Sequence, residues 1–152
     1  TADERKHYLL SRFAEWSKPI GAVLAATDSK GILKNDIYHR DVIYDWHQGP
    51  VLVIGDAAHA TTPNLGQGAC MALEDSAILA RCLTVGGSVE QIFKRFVERR
   101  SRRTAFVVRT SKRSGTLMQS ENSLILKNRD RLIKMMLKGG KIPALEKIIA
   151  YR

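Results

Sequence analysis

Acidic residues are nearly missing from the last third of this chain. Residues 98–152 carry 15 Lys and Arg against 4 Asp and Glu, whereas residues 1–97 carry 10 against 11. The formal net charge of +10 therefore belongs to the C-terminal third alone. Such a stretch is either a solvated helical face or a surface for an anionic partner, whether nucleic acid, a membrane surface or an acidic protein. No series of aromatics interleaves with its basic residues, which argues against binding single-stranded nucleic acid. Cysteine is equally scarce. Cys70 and Cys82 lie twelve residues apart within one predicted helix, too far to bridge. Two thiols are also too few for a structural metal site. They read as reduced core thiols of a cytoplasmic protein with no metal centre. No apolar run approaches the ~20 residues of a membrane-spanning helix. The first ten residues, TADERKHYLL, lack the shape of a signal peptide. They also lack a starting Met, so the expectation is a processed or cut piece.

What remains is globular in composition, with 44% hydrophobic and 26% charged residues in 152 positions. Tyr8, Leu9, Phe13 and Trp16 recur at helical spacing over 3–16. Pro19 opens a short helix over roughly 19–27, followed by a turn at Ser29–Gly31. Residues 32–46, ILKNDIYHRDVIYDW, predict one or two strands. A turn at Gln48–Pro50 leads into Val51–Ile54, four apolar residues expected as a strand buried on both faces. Residues 57–65 form a loop. A helix begins at Gly66 or Gly68 and runs to about Leu83, with Met71, Ile78, Leu79 and Cys82 on one face. Ser88 and Gln91 make a capping box for a long basic helix over about 89–113. A helix over 121–137 follows, then a break at Gly139-Gly140 and a last short helix opened by Pro143. Met135 and Met136 read as core.

The chemistry concentrates in VLVIGDAAHATTPNLGQGACMALEDSAILA. A buried strand ends in Gly55-Asp56, and ligands of open α/β sheets sit beyond such strand ends. An acid there can accept hydrogen bonds from ligand hydroxyls, and Gly55 lets the backbone approach. Ten residues on, Gly66 and Gly68 flank Gln67 at a helix start, where free N–H groups favour an anion or a flat polar ring. A polyol chain joined to a ring that can become anionic suits both ends, and a flavin nucleotide is such a molecule.

The pattern GDAAH-x3-P-x2-GQGA-x4-ED resembles the second flavin-binding motif of the FAD-dependent aromatic-ring monooxygenases of the p-hydroxybenzoate hydroxylase type. Within that family it is most similar to zeaxanthin epoxidase-like and urate hydroxylase-like proteins, over roughly residues 10–110. The resemblance implies FAD as cofactor and NAD(P)H as co-substrate. It places Gly55 and Asp56 at the ribityl chain, Pro63 beside the ring, and the backbone of Gly66, Gln67 and Gly68 at the ring's N1/O2 edge. His59, Asn64, Leu65 and Ala69 would support the loop, with no side chain assigned as catalytic. Glu74 and Asp75 could tie the helix to the loop. Arg40 and Asp41 either line a substrate cavity or pair structurally. The implied reaction is hydroxylation or epoxidation of a small aromatic, polyene or heterocyclic substrate through a flavin C4a-hydroperoxide.

The family's complete enzymes also need a Rossmann unit with GxGxxG, which this chain lacks. The expectation is therefore an α/β fragment, mostly helical, with a few strands from the FAD-binding and substrate domains and a C-terminal helical region. Residues 1–50 would end the substrate domain and return to the FAD domain. Residues 51–85 would carry the flavin motif and 86–152 the basic helical region. Alone, the piece would be inactive. Uncovered apolar faces could support a homodimer, and the basic helices a membrane surface contact, with no nucleic acid expected. The alternatives are a non-catalytic helical interaction module with a basic tail, or another flavin oxidoreductase such as a reductase or halogenase.

Overall fold

Thr1 caps the first helix. Its hydroxyl accepts from the Glu4 amide at 3.2 Å, and the Glu4 side chain reaches back to the residue 1 backbone. Helix α1 (Ala2–Arg12) packs against α2 (Lys18–Ala26) and a 3-10 turn at Ser29–Gly31. Lys6 Nζ donates to the carbonyls of Ala25 and Thr27, both at 2.8 Å. A cation thus sits on carbonyls that the end of α2 leaves unpaired. Neither helix buries a residue fully. The computed structural model describes residues 1–138 and Ile148, and the chain divides into two units, Thr1–Ile37 and Tyr38–Arg152.

The second unit holds the core. Strands β1 (His47–Gln48) and β2 (Val51–Leu52) form an antiparallel pair with His47 opposite Leu52, turning through Gly49 at φ 54°. A short helix α3 (Asp56–His59), a 3-10 turn at Pro63–Leu65, and helices α4 (Gly68–Val85), α5 (Val89–Met118) and α6 (Ser123–Lys138) follow. The box predicted at Ser88 and Gln91 is present at the start of α5. Helices α4 and α5 pack together because each buries an apolar stripe at helical spacing. Ile78 and Cys82 of α4 meet Ile92 and Phe96 of α5, and Trp46 and Ala58 close the cluster. Trp46 lies 5.9 Å from the Phe96 ring and 5.4 Å from His59.

Several expectations need correction. Residues 32–46 contain no strand, and the apolar run at 51–54 is extended only at Val51–Leu52. The α/β reading therefore reduces to a mostly helical chain with one two-stranded hairpin. Strand pairing needs neighbours, and among the described residues β2 has only β1, so Val51 stays 63% exposed. The expected loop at 57–65 contains α3 and the 3-10 turn, and α5 runs five residues past its predicted end at 113. Cys82 is buried, but Cys70 is exposed on α4 and is not a core thiol. Met135 is exposed rather than core. The break at Gly139-Gly140 and the helix at Pro143 lie outside the described residues.

Candidate functional site

The Gly55-Asp56 step turns the chain from β2 into α3. Gly55 sits at φ 58° and ψ −140°. A Cβ there would make only ordinary contact, 3.6 Å from the Ala72 methyl, so the dihedrals rather than crowding require glycine. Asp56 then lies in the first turn of α3, exposed, and makes no side-chain hydrogen bond or ion pair among the described residues.

The nearby acids are engaged by the protein itself. Asp75, wholly buried on α4, accepts from the Gly55 amide at 2.9 Å, from His59 Nε2 at 2.7 Å and from Arg100 Nε at 2.7 Å. Arg100, also wholly buried, donates to Glu74 at 2.7 Å and to the Met71 carbonyl at 3.2 Å. Arg103 adds a second cation to Glu74 at 3.1 Å. Burial alone would raise the Asp75 carboxyl. The bonds from His59, Gly55 and Arg100, with the charge of His59, outweigh it and hold the group below its ordinary value of 3.8. A lower value in the folded state means that Asp75 stabilises the fold at neutral pH. That stabilisation fades as the pH falls through 3.8 toward the lower folded value. Urea midpoints measured from pH 7 to pH 3 should fall below about pH 4, and more steeply in the wild type than in Asp75→Asn.

A second set of bonds fastens the loop before α4 to α5. Ser111, fully buried, donates to the Thr62 carbonyl at 2.7 Å and shares a 2.8 Å bond with the Thr62 hydroxyl. Asn64 Nδ2 donates to that hydroxyl at 2.9 Å and to the Ser111 carbonyl at 3.2 Å. Gly115 leaves the space that the Asn64 amide fills. Ser111→Ala removes both Ser111 side-chain bonds to Thr62. Its unfolding free energy in urea should fall by about 1–3 kcal/mol.

Between these fastenings opens a cleft of about 560 Å³ lined by Asp56, Thr61, Thr62, Pro63, Gly66, Gly68, Ala69 and Ala72. One wall is the start of α4. Gln67, its N-cap, makes no side-chain capping bond, and the first turn carries no acid, so the helix end is free for a ligand. Gly66 is left-handed at φ 63°, and a Cβ there would meet nothing within 4 Å. The residues therefore fit a flavin's needs: a free carboxylate for hydroxyls, and an uncapped helix end with a glycine floor for a ring edge.

The structure thus brings Asp56, Pro63, Gly66, Gly68 and Ala69 to one cleft. Gly55 and His59 stand behind it on Asp75, Asn64 points to α5, Gln67 caps α4 and Leu65 is half-buried. Neither Arg40 nor Asp41 lines this cleft: the Arg40 backbone amide donates to the Ala60 carbonyl at 2.9 Å, and Lys112 reaches Asp41 at 3.3 Å. Sequence reasoning missed Thr61, Thr62, Ala72, Arg100 and Ser111. The small Thr-Thr pair before Pro63 was the available signal for the first two; Arg100 and Ser111 act across long separations that spacing does not reveal. Among the described residues there is no cluster able to hold a metal ion, and no helix long and apolar enough to cross a membrane.

The profile of the FAD binding domain family matches residues 13–111. Aurachin C monooxygenase/isomerase of Stigmatella aurantiaca is 40% identical over 128 residues, 84% of this chain and 33% of its own length. The chloroplastic zeaxanthin epoxidase of Solanum lycopersicum is 47% identical over 76 residues, 50% of this chain and 11% of its own. HpxO of Klebsiella pneumoniae, crystallised with FAD and uric acid, shares the fold at a TM-score of 0.79 and 23% identity, over 89% of this chain and 37% of that one. The chain spans a third or less of the length of these two curated relatives. It belongs to the FAD binding domain family, among the FAD-dependent monooxygenases.

Proposed function

We propose that this chain is the C-terminal portion of an FAD-dependent monooxygenase that uses NAD(P)H and O2 to hydroxylate or epoxidise a small aromatic, polyene or heterocyclic substrate. The observation that carries the reading is the free carboxylate of Asp56 in the same cleft as the uncapped start of α4. Asp56 accepts hydrogen bonds from the ribityl hydroxyls. The Gly66 amide donates to the Pro63 carbonyl at 2.9 Å, so the amides of Gln67 and Gly68 and the helix end offer the partial positive charge where negative charge builds on the ring. Pro63, Thr61 and Thr62 line the cleft. A bound flavin supplies electron storage and oxygen activation, and the protein supplies position and field. The matched relatives are two to three times longer than this chain or more. The ADP half of FAD therefore falls to a part outside the chain, and the isolated chain is inactive. The test is the visible spectrum of the longer polypeptide. A yellow protein bleached by NAD(P)H and recoloured by air supports the reading; a protein that never takes up FAD rejects it.

One observation favours a second, non-catalytic role for α6. Leu124, Ile125 and Met135 are 69%, 41% and 64% exposed, while Lys127, Arg131 and Lys134 line a shared groove. A solvated face explains the cations but not the bare apolar residues. A basic amphipathic helix fits an anionic lipid surface, with apolar residues inserted and cations at the headgroups. Vesicles with anionic lipid should sediment the protein at low salt, and neutral vesicles should not. Equal recovery with both kinds of vesicle, or with neither, rejects this role.

A further inference from the structure

Asp75 touches both ends of the short helix that carries Asp56. Its Oδ2 accepts from the amide of Gly55, the N-cap of α3, and from the ring of His59, its last residue. Asp75 itself stands on α4, whose first turn forms the opposite wall of the cleft. Its other oxygen is held by Arg100 of α5, the helix that also fastens Thr62 through Ser111. One buried carboxylate therefore joins the Asp56 wall, the α4 wall and the helix behind the loop. Neither Asp75 nor its partners His59 and Arg100 lines the cleft.

We propose that Asp75 is a positioning residue that sets the gap between the Asp56 carboxylate and the start of α4, so that the cleft favours a ligand reaching both. The inference rests on the flavin reading and adds a specificity element to it. Asp75 accepts three hydrogen bonds and donates none. In Asp75→Asn the remaining oxygen can still serve both donors of α3, but in Asp75→Ala the donors on Gly55, His59 and Arg100 all lose their acceptor. Helix α3 is only four residues long and cannot hold its own orientation. Its loosening moves Asp56 relative to α4 while leaving the α4 start intact.

Two flavins separate positioning from general damage. Riboflavin carries the ring and the ribityl chain; lumiflavin carries the ring alone. Binding of each is followed by fluorescence quenching in the longer polypeptide, below the unfolding temperature of every variant. The wild type should prefer riboflavin. Asp75→Ala should lose about tenfold of that preference, the loss of one hydrogen bond to a charged group, with lumiflavin affinity changed less than about twofold. Should Asp75→Ala not fold, His59 provides the same test. His59→Gln keeps an N–H for the carboxylate and should retain the preference, whereas His59→Leu should lose it. A preference unchanged in Asp75→Ala or His59→Leu, or a parallel loss of both ligands, overturns the proposal. A wild type without any preference for riboflavin rejects the flavin reading itself.

Discussion

Arg100→Ala should lower the unfolding free energy by about 3–5 kcal/mol. The guanidinium is fully buried and bonds two acids on α4, Asp75 and Glu74, each at 2.7 Å. Removing it leaves Asp75, itself fully buried, with the His59 ring and the Gly55 amide as its partners among the described residues. An uncompensated buried carboxylate costs more than the intact pair contributes. Glu74 fares better because Arg103 still reaches it. Folded domains have only about 5–15 kcal/mol to lose, so a domain at the bottom of that range would be left close to its unfolding midpoint at room temperature. The loss is measured by urea unfolding followed by far-ultraviolet circular dichroism. The double variant Arg100→Met with Asp75→Leu should recover only part of it: apolar groups of similar size often replace a buried pair at little cost, but the Gly55 amide and the His59 ring then lose their acceptor. The shortfall from additivity measures the coupling of the pair. A loss below about 1 kcal/mol for Arg100→Ala would mean that the pair behaves like a surface ion pair.

That same residue marks where sequence reasoning stops. Arg100 lies in the run Arg99, Arg100, Arg102, Arg103, which reads as one solvated basic face. Arg99 and Arg102 are exposed, but Arg100 is not. Its partners lie 25 and 26 residues back on α4, and only the packing of α4 on α5 brings them together. The pairing of Ser111 with Thr62 spans 49 residues and was invisible for the same reason. Local signals fared better, because local geometry carries them: the box at Ser88 and Gln91, and the apolar stripe of Met71, Ile78 and Cys82. The strands failed because pairing is never local. Four apolar residues at 51–54 specify an extended run only where neighbours accept their hydrogen bonds, and among the described residues only β1 does so. The cleft was legible through residue types whose purpose is local, a free acid and a pair of glycines, while the frame that holds it was not.

Asp56→Ala should separate binding from stability, the reverse of Arg100→Ala. The Asp56 side chain is exposed and makes no bond to the protein among the described residues. Its structural contribution is that of an acid in the first turn of α3, worth about 0.3–1 kcal/mol against the helix dipole. The unfolding midpoint should barely move. FAD affinity should fall about 10- to 150-fold, the equivalent of 1.5–3 kcal/mol for hydrogen bonds to a charged acceptor. Asp56→Asn keeps one acceptor oxygen without the charge and should fall between the two. Fluorescence quenching gives the affinity and thermal unfolding without FAD gives the stability, both on the longer polypeptide. A large loss of stability would make Asp56 structural, and an unchanged affinity would remove it from the flavin site. The two acids then play opposite parts for one physical reason. Asp75 has both oxygens engaged by the protein and so builds the frame, whereas Asp56 has neither engaged among the described residues and is left to meet the ligand.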